Sequence, residues 1–443
     1  MAKIAFVRVA HKDYQNSLSM EKALKSLEIL KKIEKLEILF NDEPLVDPVE
    51  AQTFGKKITS ENVDGVVIFF DTWSDPSIAM AILLEVKHLP IALWGFQMFE
   101  FNGKFEQTGS FVGLTVFASA LKRLEINFKY INGFSDEINV QEKIKNFINV
   151  SQTLSKLRSV RLGLVGYSAM SIYSGTFDHL LLRGLIGPEV VQIDSYSLIN
   201  IAESCNEKQV NLFSDNIKKY ANISADLNNK YIEKAGRLYY AIKKIISDFR
   251  VNSINIKCQY EFSQEWECIP CVPLSLIAEE GIVTSCEGDV LTSISQIILN
   301  LLTNQIVTYA DLLNINENVA YFSACGFAPF SLAQNPGKSE IRDINTPGFC
   351  GPISSIVLKK GSLTFMRLNE EKGNYFMCFG TGEGLDSELR QGRFPALRVQ
   401  INGDSKNLIN AFGAQHYAIC YDDITDQLID LCSLLNIKYI NVK

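Results

Sequence analysis

The chain lacks the features by which several large classes of protein are recognised. Its 443 residues carry a net charge of −7 with acidic and basic residues interleaved, and they form no basic patch of the kind that nucleic-acid binding needs. No apolar run approaches the roughly 20 residues of a membrane-spanning helix. Neither G-x-G-x-x-G nor a Walker motif is present, which argues against dinucleotide and ATP chemistry. We therefore expect no nucleic-acid partner and no membrane partner.

The N-terminal segment, M-A-K-I-A-F-V-R, lacks the charged region and apolar stretch of a signal peptide. It is typical of a first β-strand, and the default expectation is a cytoplasmic protein. The composition, with 47% apolar and 21% charged residues, is ordinary for a globular chain. At this length one hydrophobic core is not enough, and two to three domains are expected.

The ten cysteines are scattered and favour reduced core residues over a disulfide framework. Only Cys268-Ile-Pro-Cys271 has the spacing of a motif. A redox pair there, or a four-thiolate zinc site completed by Cys258 and Cys286, stays open as an alternative.

Short apolar strands alternate with helices through the first part of the chain. Strands are predicted at 3–9, 36–40, 65–70, 90–95 and 127–131, and helices at 16–35, 48–60, 77–87 and 112–124. This alternation is typical of an open parallel sheet that is covered on both faces. After a long polar helix, it restarts at R-L-G-L-V-G (161–166), which indicates a domain boundary.

From residue 282 the pattern changes to one apolar helix, at 290–303, followed by short β segments that are separated by Gly, Pro and Asn. Such segments favour an antiparallel β domain. The predicted fold class is α/β, with two Rossmann-like open parallel-sheet domains followed by a β-rich, barrel-like α+β domain. The predicted domains are 1–157, 158–281 and 282–443, and the last carries most of the active site.

Two carboxylates flank the apolar helix. Asp289 opens the helix and is a preferred N-cap, whereas Glu287 gains nothing from capping and lies in a loop. Asp311 follows the helix and could cap a short turn. Of the four histidines, His416 stands apart because it begins an apolar strand after G-A-Q. Together these side chains could hold a divalent cation or share acid and base roles.

The run T-S-C-E-G-D-V-L-T-S-I…L-L-T-N-Q-I-V-T-Y-A-D-L resembles the core of the L-fucose isomerase and L-arabinose isomerase family, most closely its fucose branch. The family has a Glu-x-Asp segment opening a helix, a later acidic residue and a late G-A-x-H, which correspond here to Glu287, Asp311 and His416. The segment V-D-G-V-V-I-F-F-D-T-W-S is similar to one whose Trp closes a neighbouring subunit's site; here that residue is Trp73. In contrast to related short sequences, Ala324 stands where a His is often found.

The resemblance implies a metal-dependent aldose–ketose isomerase, an intramolecular oxidoreductase that converts a monosaccharide through an enediol intermediate. It implies that Glu287 and Asp311 are both the acid/base groups and metal ligands, with His416 as the third ligand. Mn²⁺ is the expected ion, with Mg²⁺ or Co²⁺ as substitutes. A homo-oligomer, a trimer or hexamer with active sites at subunit interfaces, is also expected. The alternative is a non-catalytic sugar-binding or regulatory protein with the same fold.

Four further residues are predicted to bind the substrate. Arg8 and Trp73 lie at the C-terminal ends of strands, where open α/β sheets bind ligands. Gln259, in C-Q-Y-E-F-S, could reach a sugar hydroxyl, and Gln415 immediately precedes His416. The sequence does not name the sugar: fucose, arabinose, a deoxy or sulfonated sugar and other aldoses all fit.

Overall fold

The computed structural model describes residues 1–442, which divide into two compact units. The first comprises residues 1–155 and 426–436, and the second comprises 156–425 and the residues after 436. Both contain parallel sheet with flanking helices, and the second also contains a large antiparallel sheet. The predicted α/β class is therefore confirmed, whereas the division into three domains stays a prediction. No helix among the described residues is both long and apolar enough to cross a membrane.

The first unit is built on a parallel sheet. Its elements are β1 (Ala2–Val9), α1 (Ser17–Lys31), β2 (Leu36–Phe40), α2 (Pro48–Ser60), β3 (Gly65–Phe70), α3 (Pro76–Val86), β4 (Ile91–Gly95), β5 (Phe99–Phe101), β6 (Lys104–Glu106), α4 (Ser110–Arg123), β7 (Lys129–Asn132) and α5 (Ile138–Leu157). The strands are ordered β2–β1–β3–β4–β7, and each pair is parallel. Every residue of the central strand β3 is buried, as expected for a strand covered by helices on both faces.

The second unit begins with another parallel sheet. Its first elements are β8 (Arg161–Val165), α6 (His179–Leu185), β9 (Glu189–Ile193), α7 (Ser195–Glu203), α8 (Glu207–Ile217), β10 (Asn222–Ile223), α9 (Asn229–Asp248), β11 (Ser253–Ile256), α10 (Cys271–Glu279), β12 (Val283–Cys286) and α11 (Val290–Thr303). The strand order is β12–β11–β8–β9. Ile256 and Cys286 are paired at the ends of β11 and β12, so the residues after both strands lie at one edge of the sheet.

The rest of the second unit is mostly antiparallel. Its elements are β13 (Thr308–Asn316), β14 (Val319–Ser323), β15 (Glu340–Asp343), β16 (Pro352–Ser355), β17 (Gly361–Glu371), β18 (Asn374–Leu385), β19 (Ala396–Ile401), α12 (Ser405–Asn410), β20 (His416–Cys420), α13 (Thr425–Leu435) and β21 (Lys438–Asn441). The order β17–β20–β13–β14–β19–β18 closes into a ring because β18 also pairs with β17. Strand β21 adds to β18, and β15 and β16 form a small sheet with β10.

Residues 426–436 belong to the first unit and contain most of helix α13. Asn149 donates a hydrogen bond of 3.0 Å to Gln427, and Asp430 forms an ion pair with Lys129. Leu434 packs against the apolar core on one face of the parallel sheet.

Several helix boundaries differ from the sequence prediction, and α1, predicted at 16–35, ends at Lys31. The sequence pattern also predicts helices at 207–222 and 225–248. The first ends at Ile217, because Asn222–Ile223 pairs with β15 much later in the chain. The following helix begins only at Asn229, where the side chain of Asn228 accepts a hydrogen bond from the first turn. Helix α7, of nine residues, was not predicted from the sequence.

Candidate active site

The loop between β12 and α11 holds Glu287 in a fixed position. Glu287 and Gly288 both have φ of 68°, the left-handed region that a residue other than glycine enters only at a cost. The buried amide of Asn255 secures this turn, accepting from Gly288 N (2.9 Å) and donating to the carbonyl of Asp289 (3.1 Å). Glycine is required at 288, because a Cβ there would lie 2.2 Å from the carbonyl oxygen of Tyr167.

Asp311 and His416 lie opposite each other on two paired strands. The antiparallel register of β13 and β20 aligns the two residues directly, and aligned residues project their side chains to the same face. Asp311 therefore lies within a strand and does not cap a turn. A Cβ at Gly413, in G-A-Q-H, would lie 1.7 Å from Asn369 Oδ1, so a larger residue there would displace the Asn369 side chain.

The carboxylates of Glu287 and Asp311 converge on one ring nitrogen of His416, the third predicted ligand. His416 Nε2 lies 3.5 Å from Glu287 Oε2 and 3.3 Å from Asp311 Oδ1. The imidazole is completely buried, and Nε2 makes no hydrogen bond to any described residue. The side chains of Glu287 and Asp311 remain 10% and 28% exposed. Two carboxylates around an orphaned imidazole nitrogen form a donor set that fits a divalent cation.

The other ring nitrogen is oriented by Asp289. His416 Nδ1 lies 2.8 Å from Asp289 Oδ2. Asp289 also caps helix α11, accepting from Thr292 N at 3.0 Å, as the sequence predicted. A hydrogen bond from Nδ1–H to Asp289 leaves Nε2 as the nitrogen available to a metal, the arrangement common among metal-binding histidines. The capping residue therefore has a second role that the sequence did not indicate.

Arg367 is the residue of this centre that the sequence analysis missed. Its guanidinium donates to both carboxylate oxygens of Asp289, at 2.9 and 3.2 Å, and to the carbonyls of Ser174 (2.7 Å) and His416 (3.1 Å). It also donates to the hydroxyl of Thr292. Both charged partners are 1% exposed. The only sequence signal was a lone arginine inside the apolar strand T-F-M-R-L.

The buried charges at this centre shift the pKa of Asp289 and the pKa of His416. Burial would raise the pKa of Asp289, but Arg367 and His416 together hold it well below its ordinary value. Burial would likewise lower the pKa of His416, but Asp289, Asp311 and Glu287 raise it well above the ordinary value. A metal binds Nε2 only when that nitrogen carries no proton, so cation binding and protonation compete at this imidazole.

The two predicted glutamines lie in the second unit. Gln415 Oε1 accepts from Ser174 Oγ at 3.4 Å, and its backbone carbonyl accepts from Leu312 N at 2.8 Å. Gln259 is 3% exposed, and its Oε1 has no hydrogen-bond partner among the described residues. Substrate contact by either glutamine stays a prediction.

Arg8 and Trp73 lie in the first unit. Arg8 is buried and bonds to Asp71 Oδ2 at 2.6 and 3.1 Å, so its guanidinium already has a charged partner. Burial raises the pKa of Asp71 to about 7, although Arg8 opposes the shift. Trp73 is half-buried beside His11 and Tyr14, with ring centroids 5.4 and 6.0 Å away. Their predicted roles toward a substrate stay predictions.

We expect Arg367→Met to lower the free energy of unfolding by about 3–5 kcal/mol, because it leaves the buried Asp289 carboxylate without its counter-ion. Urea unfolding at neutral pH measures the change. Arg398→Met, an exposed position on a strand of the same ring, is the matched control and should stay within about 0.5 kcal/mol of the parent.

The double variant Arg367→Met with Asp289→Asn should recover part of the loss, since no unpaired charge remains. Equal stability of Arg367→Met and Arg398→Met would show that the buried pair does not support the fold.

No protein-family model matches the chain. It is 25% identical to the sulfoquinovose isomerase of Priestia aryabhattai over 442 residues, which cover 98% of each protein. The sulfoquinovose isomerase of Alkalicoccus urumqiensis is 23% identical and covers 90% of this chain and 91% of its own length. That of Clostridium sp. (strain MSTE9) is 23% identical and covers 80% and 81%.

Among solved structures, a periplasmic solute binding protein of an ABC transporter from Actinobacillus succinogenes 130z with bound D-allose is 9% identical. It covers 69% of this chain and 92% of its own, but its TM-score of 0.20 is too low to support an argument. The similarity to named isomerases along almost the whole chain confirms the prediction of an isomerase enzyme of carbohydrate metabolism. The L-fucose isomerase and L-arabinose isomerase branch stays a prediction.

Proposed function

We propose that this chain interconverts the aldose sulfoquinovose and the corresponding ketose. The observation that carries the proposal is the convergence of Glu287 and Asp311 on the orphaned Nε2 of a buried histidine. The full-length similarity to sulfoquinovose isomerases supports the choice of a sulfonated sugar.

The site offers the acid–base groups that the reaction needs. Converting an aldose to a ketose removes the proton on C2, adds a proton to C1 and transfers the hydroxyl proton between O2 and O1. One carbon is oxidised as the other is reduced, so no external oxidant is required. Two carboxylates on the same centre can take and return these protons. We assign this work to Glu287 and Asp311.

Asp311 faces the open side of the centre. Its side chain is 28% exposed, whereas that of Glu287 is 10% exposed and that of His416 is fully buried. A sugar that enters from solvent therefore meets Asp311 first. We propose that Asp311 transfers the protons that lie nearer to solvent. Glu287 transfers the proton at the buried end of the C1–C2 bond.

Glu287, Asp311 and His416 would hold a divalent ion, for which we propose Mn²⁺, with Mg²⁺ or Co²⁺ as substitutes. When bound, such an ion polarises the sugar carbonyl and stabilises the negative charge of the enediolate. Asp289 keeps the imidazole ring in the orientation that points Nε2 at the two carboxylates. Arg367 in turn keeps Asp289 ionised and in place.

Glu287→Gln and Asp311→Asn should each lower turnover by roughly 10²–10⁴-fold, the usual contribution of acid–base catalysis, while the fold survives. Aldose and ketose signals in ¹H NMR spectra measure turnover, and circular dichroism checks the fold. Glu383→Gln, an exposed carboxylate on β18, is the control and should retain full activity. Full activity in either site variant would refute the assignment of that residue.

Removing divalent ions with a chelator should stop turnover, and added Mn²⁺ should restore it. His416→Ala should lower the bound Mn²⁺ measured by elemental analysis, because the variant loses the only nitrogen of the donor set. The exposed His179→Ala is the matched control and should bind the parental amount. If His416→Ala bound as much Mn²⁺ as the control, His416 would not be a ligand.

Among sulfoquinovose, L-fucose and L-arabinose, only sulfoquinovose should be converted at a substantial rate by the Mn²⁺-loaded protein. The measurement is NMR detection of each ketose over time, together with thermal stabilisation by each sugar. Conversion of L-fucose or L-arabinose alone would reject the sulfonated substrate. Stabilisation by a sugar without any product would instead favour the alternative of a sugar-binding protein.

A further inference from the structure

A group of thiols lies on the other side of Glu287. The sulfurs of Cys258 and Cys286 and one carboxylate oxygen of Glu287 lie within 4.8 Å of one another, and all three residues are buried. Cys325 Sγ donates to Glu287 Oε1 at 3.4 Å. The thiols and the carboxylate form a continuous group of potential ligands.

The topology, and not a sequence motif, assembles this group. Cys286 ends β12, and Cys258 follows the paired end of the neighbouring parallel strand β11 by two residues. The spaced pair Cys268 and Cys271 is not part of this group. The thiol of Cys268 is directed at backbone carbonyls, including that of Tyr231 at 3.8 Å.

The carboxylate of Glu287 separates two chemically different donor sets. Its Oε2 lies 3.5 Å from the imidazole of His416, and its Oε1 faces the thiol of Cys325. Nitrogen and oxygen ligands suit Mn²⁺ and Mg²⁺, whereas thiolates select softer ions. One residue therefore serves a hard site on one side and a soft site on the other.

We infer that Cys258, Cys286 and Glu287 form a second cation site, which binds thiophilic divalent ions such as Zn²⁺ and Cd²⁺. Tetrahedral zinc with Zn–S bonds of about 2.3 Å places two sulfurs about 3.8 Å apart, so the three donor groups need only small shifts. Binding converts two thiols to thiolates and releases two protons to solvent. Cys325 is the nearest candidate for a fourth ligand.

Occupation of this site inhibits the isomerase, because a soft ion bound to the Glu287 carboxylate withdraws electron density from the group that transfers the proton. This consequence rests on the proposed function. The binding itself does not, since it depends only on the positions of the thiols and of Glu287.

Cadmium titration of the chelator-stripped full-length protein tests the inference, with the ultraviolet charge-transfer absorption of cadmium–thiolate bonds as the readout. We expect saturable absorption at one Cd²⁺ per chain. Cys258→Ser and Cys286→Ser should each weaken binding by roughly tenfold or more, at least the loss seen when a metal's supporting ligands are removed. Cys205→Ser and Cys268→Ser, which alter thiols outside the group, are the controls and should titrate like the parent.

Absorption that persists unchanged in Cys258→Ser and Cys286→Ser, or that disappears in Cys268→Ser, would overturn the site. If either buried cysteine variant fails to fold, Glu287→Gln gives the decision, because it removes the third donor of the site and is expected to keep the fold. Reduced affinity in that variant supports the site, and parental affinity refutes it. His416→Ala should keep the cadmium–thiolate absorption, which distinguishes this site from the proposed catalytic one. An inactive protein that still shows the absorption would refute the proposed function but not the thiol site.

Discussion

The buried pair of Arg367 and Asp289 is the interaction on which the centre depends. Removing two charges from water is costly, and such a pair contributes little net stability unless its remaining donors and acceptors are also satisfied. Here they are, because Arg367 bonds to two backbone carbonyls and a hydroxyl as well as to the carboxylate. The pair joins the start of α11 to strands β17 and β20. The pair orients the imidazole of His416, which lies on β20.

Glu287 shows how local strain and function coincide. Its left-handed backbone is unfavourable and persists only because neighbouring contacts over-determine the loop: Glu287 N donates to the carbonyl of Ile256 at 3.0 Å, and Asn255 secures the next residue. The strained conformation aims one carboxylate between an imidazole and a group of thiols. If residue 287 had unstrained helical or extended backbone angles, the chain would leave the end of β12 in another direction.

The sequence predicted what is encoded locally. The predictions of strand β3 and of the helix cap at Asp289 match the structure, because apolar runs and helix starts depend on adjacent residues. The meeting of Glu287, Asp311 and His416 was suggested by resemblance, since no spacing rule links residues so far apart. The role of Arg367 was not predicted, because its partner Asp289 lies 78 residues away in the chain. The proximity of Cys258 and Cys286 likewise follows from the pairing of β11 with β12, which the spacing of cysteines along the chain does not indicate.

The register of β13 and β20 has a consequence for how this enzyme can diversify. Side chains alternate between the faces of a strand, so a single inserted residue before Asp311 or after His416 would turn the strand's following side chains to the other face. In a closed ring every neighbouring pairing would have to shift as well. The structure has one irregularity of this kind, a bulge between Leu312 and Asn314, just beyond Asp311. Loops tolerate changes in length far better, so loop contacts around the site can vary while Glu287, Asp311 and His416 keep their places.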